Sequence, residues 1–268
     1  MQLVTTTLST LLVGLTLLTP PSSLVSCSPA PQLQAQLARR DLHPHQAVFT
    51  DSPGEEASDE TATVFPSRYH STLLARRLLA KSSVGELASV FPANISAGPY
   101  WRTPESVASA PIVLPEYIAD CENSGNPTLI ALAVSTPTKN AKYGDSKNVS
   151  ITVSWWDEYV RLVGHEPWTK ADLPRLALLG HLEELSDDDI EDNAVVACFE
   201  SQHKDARLWR PGSRGSAHAG KWARVQVEEA YWIGGFGDRH YIGWLDIEEW
   251  RSITDDDWKR VRLPGEKL

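Results

Sequence analysis

Trp222 to Trp250, WARVQVEEAYWIGGFGDRHYIGWLDIEEW, is the stretch on which the fold turns. Ala223, Val225 and Val227 alternate with Arg224, Gln226 and Glu228, the period-two mark of a strand with one buried face. Glu229, Tyr231 and Ile233 continue that inner register, with Glu229 as its one charged member. Gly234-Gly235-Phe236-Gly237 then interrupts the strand, where residues without a Cβ permit positive φ or close backbone approach. Trp232, Trp244 and Trp250 supply large apolar surfaces for a small β core.

Working outward, the chain has 268 residues, 41% of them hydrophobic, enough for a substantial core. Its formal net charge is -10, and Arg76-Arg77 and Lys259-Arg260 are isolated basic pairs. A nucleic-acid phosphate track needs clustered cations, so nucleic acid is excluded as the expected partner.

The first 38 residues contain no Asp, Glu, Lys or Arg. Leu8, Leu11, Leu12, Val13, Leu15, Leu17 and Leu18 form an apolar run that ends at Pro20-Pro21 and small residues. This reads as a secretory signal peptide over residues 1–27, cleaved between Ser26 and Ala30. The run falls short of the roughly 20 unbroken apolar residues of a membrane anchor, so no span is expected after cleavage. The sequons Asn94-Ile95-Ser96 and Asn148-Val149-Ser150 agree with that route and mark Asn94 and Asn148 for glycosylation. Proline disqualifies Asn126-Pro127-Thr128. Once Cys27 leaves with the signal, Cys121 and Cys198 remain, either paired in an oxidising compartment or standing as two separate buried thiols.

Residues 28–66, rich in Pro, Gln and Ala and then acidic, read as a disordered linker or propeptide. A folded domain is expected over 67–251, with 252–268 as a tail packing on it. Tyr69, Leu73, Leu74, Leu78 and Leu79 recur at helical spacing, with Ser71 as N-cap. Strands follow at 84–91, 110–121, 128–135, 149–156 and 176–185, the last with a bend or bulge at Gly180. Asn123 to Pro127 is a turn that joins the second and third strands in a hairpin. The apolar third strand is placed centrally. Residues 136–148 read as a polar loop and 194–203 as a helix. Asp255-Asp256-Asp257 before Trp258 predicts a capped short helix. Such an order of elements indicates a mainly β fold, a six-stranded split barrel with flanking helices.

LLAKSSVGELAS, APIVLPEYIADCENSGNPTLIAL, PRLALLGHLEEL and YWIGGFGDRHYIGWLDIEEW, in that order, resemble the CREG-like proteins, and the fungal-type members in particular. These are secreted relatives of the pyridoxamine 5′-phosphate oxidase-like, FMN-binding split barrels. The resemblance covers roughly 67–251 and implies a homodimer, glycosylation and an extracellular or vacuole- or lysosome-like destination. Flavin-binding relatives carry a His-Thr-x-Asn pattern between the third and fourth strands. The matching place here is Pro137-Thr138-Lys139-Asn140, which keeps Thr138, Lys139 and Asn140 and lacks the histidine. Flavin binders tend to have serine where this chain has Ile112. With Ser150 as a further polar contact, and Ser89 and Arg175 behind it, these are the residues the resemblance assigns to FMN. It equally implies a CREG-type loss of flavin and a binding role toward a protein or small-molecule partner. An FMN-dependent oxidoreductase is the alternative.

Other chemistries lack a motif. There is no G-x-S-x-G elbow, no zinc spacing of Cys and His, and no P-loop lysine after GGFG. The run from Asp187 fails as a calcium loop for want of glycine at its sixth position and glutamate at its twelfth. Glu228-Glu229, adjacent on a strand, should point to opposite faces and share no site, and Glu229 should meet an arginine.

Overall fold

A computed structural model describes residues 66–267 except Ala97, Gly215, Ala217 and Asp238. The expected signal peptide and residues 28–65 lie outside the described residues. All described residues belong to the second of two compact units, Glu55–Leu268.

The elements run α1 (Arg68–Lys81), β1 (Val84–Val90), β2 (Pro111–Tyr117), β3 (Thr128–Leu132), α2 (Thr136–Tyr143), β4 (Asn148–Ser154), α3 (Trp156–Val163), β5 (Arg175–Glu184), α4 (Asp187–Asp192), α5 (Val195–Gln202), β6 (Gly220–Ile233), β7 (Ile242–Trp244), α6 (Ile247–Ser252) and α7 (Asp255–Trp258). Six strands hydrogen-bond in the order β2-β1-β4-β5-β6-β3, and the short β7 pairs with β6. Every pairing is antiparallel. The ends of the path meet through one bridge: Ala119 donates to Thr128 at 3.0 Å and Thr128 to Ala119 at 2.7 Å. The sheet therefore curls almost onto itself, which is the split barrel expected from the strand pattern.

The inner face is apolar because successive strand residues alternate sides. Leu87, Ile151, Val153, Leu176, Leu178, Val225 and Val227 meet Leu78 and Leu79 of α1 in the main core. A second cluster packs α5 over one end of the barrel through Ile130, Val195, Phe199 and Trp222.

Several local readings are corrected. Ser67, not Ser71, caps α1, accepting from the His70 N–H at 3.1 Å; Ser71 is buried in the helix body. β2 pairs with β1 and β3 with β6, so the expected hairpin is reduced to the Ala119–Thr128 bridge. β3 is an end strand rather than a central one, and its apolar residues are buried because α5 covers them. Residues 136–143 form α2, since Ser135 precedes the helix and Pro137 falls in the first turn, where its missing N–H costs nothing. The helix α3 was not anticipated. Trp232 and Trp250 are core residues, but Trp244 is 53% exposed.

The inner register of β6 also breaks. Leu179 pairs with Glu229 and Gly180 with Val227, so Glu228 is the extra residue of a β-bulge. Beyond it the buried positions become Ala230 and Trp232, and Glu229, Tyr231 and Ile233 leave the inner face. The bulge at Gly180 was legible from the sequence; its effect on the following residues was not.

A buried cation ties the two ends of the domain together. Arg76 of α1 donates to the carbonyls of Trp250 (2.8 Å), Ile253 (3.0 Å) and Asn123 (2.8 Å) and to the Asp120 carboxylate (3.3 Å). Gly125, at φ +81°, closes that turn where a Cβ would stand 2.5 Å from Trp250 Nε1. Farther along the chain, Trp155 Nε1 donates to the Pro264 carbonyl at 2.7 Å, and Glu266 takes both arms of Arg77 at 2.6 Å. Asp257 and Thr254 cap α7 reciprocally.

Cys121 and Cys198 are joined in a disulfide with a Cα–Cα distance of 5.6 Å. It fastens α5 to the segment that follows β2.

Candidate functional site

The break in β6 shapes a cleft on the outer side of the sheet. Its volume is about 370 Å³, and β1, β4, β5 and β6 supply its walls. Ala88, Val90, Pro111 and Leu179 make most of the lining apolar, and Ser150 contributes a hydroxyl; Ser89 and Val149 alternate with Ala88 and Ser150, so their side chains turn to the inner face. Glu228 and Glu229 both line it. A regular strand would have sent one of them to the opposite face; the bulge brings both to this one. The expectation that they share no site is thereby overturned.

The two carboxylates differ in their surroundings. Glu228 Oε1 lies 2.9 Å from His181 Nδ1, on the neighbouring strand. Glu229 has neither a hydrogen bond nor an ion pair among the described residues, so the expected arginine partner is not there. No Lys or Arg lines the cleft.

Behind the lining stands Asn140. It is fully buried and donates through Nδ2 to Ser89 Oγ at 3.0 Å, while its Oδ1 has no partner. Because Ser89 Oγ accepts from Asn140, its own proton remains to be donated. Ser89 is itself only 3% exposed. α2 places Asn140 there by folding its loop-like sequence into a helix against β1.

The structure thus joins Ser89 and Asn140 on the inner face and places Ser150 on the cleft side. Thr138 and Lys139 are half-buried on α2 and are not among the lining residues. Ile112 pairs with Ser89 across β1–β2 and packs against the satellite cluster of Phe91, Ile95 and Tyr100. Arg175 sits at the start of β5 opposite Ile233, its guanidinium 5.8 Å from the Trp156 ring centre, and takes no part in the cleft. Glu228 was missed as a lining residue because nothing in its local pattern marks it as the extra residue of the bulge.

FMN would need charge complementarity at its phosphate. Ser150 offers a hydroxyl, but Glu228 and Glu229 line the same space and no Lys or Arg does. The residues present do not fit a flavin phosphate. Among the described residues, no group of three or more His, Cys, Asp or Glu could hold a metal ion, and no helix is long and apolar enough to cross a membrane.

Asn94 and Asn148 are both exposed. Asn94 Oδ1 accepts from the Ser96 N–H at 3.1 Å, folding the first sequon into an Asx turn. Asn148 begins β4 and lines the cleft.

Residues 66–252 match the family described as CREG, beta-barrel. Among solved structures, a heme-binding protein from Mycobacterium smegmatis is similar at 18% identity and a TM-score of 0.49, covering 70% of this chain and 62% of that one. An FAD-binding protein from Mesorhizobium loti is similar at 19% identity and a TM-score of 0.36, covering 60% and 91%. HutZ, the heme storage protein of Vibrio cholerae, is similar at 12% identity and a TM-score of 0.37, covering 59% and 90%. The chain thus spans under two thirds of the Mycobacterium smegmatis protein's length. No curated protein matches it. With the match running from the start of α1 through the end of α6, the chain belongs to the CREG beta-barrel family.

Proposed function

We propose that this protein is a non-catalytic binding protein of the secretory route, a glycosylated homodimer of the fungal CREG type, acting outside the cell or in a vacuole- or lysosome-like compartment. The observation that carries the non-redox reading is the charge of the cleft. Glu228 and Glu229 line the cleft, where a bound phosphate would need cations, and Lys139 and Arg175 are not among the lining residues. The apolar run before Pro20 and the two sequons support the secretory address. Exposed Val84, Val90, Val113 and Leu114 on β1 and β2 support self-association, since such surface is commonly covered by a partner.

The second reading is an FMN-dependent oxidoreductase of the same fold. The hydroxyl of Ser150 on the cleft side favours it, because groups of this kind orient cofactors. In that reading a partner subunit would have to supply the missing positive charge.

A near-ultraviolet and visible absorption spectrum separates the two. Protein secreted from a eukaryotic host is expected to be colourless and to stay so after incubation with FMN and desalting. Retention of oxidised flavin near one per subunit, weakened by Lys139→Ala, would overturn the non-redox reading.

A further inference from the structure

We propose that the connection between α5 and β6 is a docking surface for a linear sulphated polysaccharide. It lies outside the cleft, and the choice of partner rests on the secretory reading.

The first observation is a local reversal of charge. The chain carries a formal net charge of -10, yet Lys204, Arg207, Arg210, Arg214 and Lys221 fall between His203 and Trp222 with one carboxylate, Asp205. Arg210 is paired with Glu200, and Asp205 accepts from the Tyr117 hydroxyl at 3.2 Å. Lys204, Arg207, Arg214 and Lys221 are exposed and form no ion pair among the described residues. Other surface cations are matched within the chain: Arg68 with Asp246, Arg161 with Glu158, Lys259 with Asp255. Unmatched cations gathered on one segment of an acidic protein attract an anion from outside it.

The second is the backbone that presents them. Ala206, Leu208 and Trp209 donate to the carbonyls of His203, Asp205 and Ala206, each at 3.0 Å, a run of 3₁₀ bonds. Residues three apart therefore eclipse along the turn. His203 and Ala206 form its buried edge, 5% and 0% exposed, which half-buried Trp209 continues. Lys204 and Arg207 form the neighbouring edge, about 6 Å apart by the 3₁₀ rise. Two cations stacked in this way suit successive anions of an extended chain.

The third is the bracing of the segment. Ser213 Oγ donates to the Leu208 carbonyl at 3.3 Å, and Ser216 Oγ lies 3.2 Å from the Trp209 carbonyl and 2.7 Å from that of His218. Trp209 packs on Tyr117 with ring centres 5.9 Å apart, and the disulfide fastens α5 just before the turn. Cations carried on a braced backbone lose less freedom when they bind.

The partner follows from this chemistry. Arginine grips tetrahedral oxyanions through paired N–H groups, and a sulphated polysaccharide repeats such groups along its length. Nucleic acid fits less well, because the indole of Trp209 is held against Tyr117 rather than standing free to stack on a base.

Immobilised heparin tests the surface, with the full secreted chain applied at about 0.15 M salt and eluted by a salt gradient. A net charge of -10 without a cationic surface would carry the protein straight through. The chain should instead be retained. Lys204→Ser combined with Arg207→Ser should weaken heparin affinity at least tenfold at an unchanged thermal midpoint, since both side chains are exposed and unpaired. Lys259→Ser combined with Arg260→Ser should leave affinity as it was, because Lys259 is already held by Asp255. Flow-through of the native chain would overturn the proposal, as would coelution of the Lys204 and Arg207 double variant with it. Equal retention on double-stranded DNA would also overturn it, by assigning the surface to phosphate backbones. The column reads the purified surface and the glycan shift of Asn94→Gln reads the route, so failure of this proposal and failure of the secretory reading are told apart.

Discussion

A Cβ on Gly180 would stand 1.9 Å from the carbonyl oxygen of Gln226, so the two strands approach here more closely than any side chain allows. That approach accompanies the bulge at Glu228 and, through it, the inversion of β6 that turns Glu229 out of the core. Gly180 also lines the cleft, which makes one residue answer for both the fold and the site. Gly180→Ala should destabilise the domain by about 3 kcal/mol, the range in which backbone must shift to admit extra volume. Urea denaturation checks this. An unchanged midpoint would mean that the close approach is not maintained in solution.

The disulfide sets a second expectation. Cys121 and Cys198 are 77 residues apart, and closing so long a loop restricts the unfolded chain by about 4.5 kcal/mol in the chain-entropy account. Replacing both by serine should lower stability by about 2–5 kcal/mol. Protease nicking should rise first in α5 and the 203–219 segment, because Phe199 and Val195 would then hold that end by packing alone. Limited proteolysis with mass mapping reads the site. Cleavage distributed evenly along the chain would show that the bond restrains no local element.

How much of this was legible in the sequence depends on whether the signal was local. β4 and β5 were readable because their side chains alternate on regular strands with one face buried. The acidic run before Trp258 marked α7 equally plainly, although Thr254 as its cap was not named. Pairing was not. β2 and β3 sit next to each other in sequence with a strong turn between them, yet each pairs with a strand elsewhere, because closing the barrel buries more apolar surface than a local hairpin would. α2 was hidden by its polar, proline-containing sequence, and with it the buried position of Asn140. Of the residues matched to flavin binders, Ser150 lines the cleft, whereas Thr138, Lys139 and Asn140 do not. Helix facing cannot be read from a four-residue motif.

Acidity should stabilise this domain before it harms it. Burial pushes the carboxyls of Asp120, Glu116 and Glu122 above their ordinary values, in the first and last case against the pull of Arg76 and Arg224. The folded state therefore binds these protons more readily than the unfolded chain, so their contribution is lost as pH rises through the folded values. The opposite holds for carboxylates held low: Asp246 by the Glu249 N–H, Asp257 by the Thr254 hydroxyl and Asp189 by the Ser186 hydroxyl. Their contribution is present above the ordinary range near 4 and disappears below it. Thermal unfolding should give a higher midpoint at about pH 5 than at pH 7, followed by a steep fall below about pH 4. Glu116→Gln should flatten the rise. A midpoint that only declines from neutrality downward would show that the buried carboxylates are already ionised at no cost.

Glycosylation gives the last test, and it bears on the secretory address. Asn94 lies in an exposed Asx turn, whereas Asn148 stands at the first position of β4 among the lining residues of the cleft. Expressed in a eukaryotic host, the protein should lose one glycan-sized mobility step with Asn94→Gln, another with Asn148→Gln, and both with an amidase that strips N-glycans. A chain that shows no mobility change in either variant would remove the glycoprotein reading.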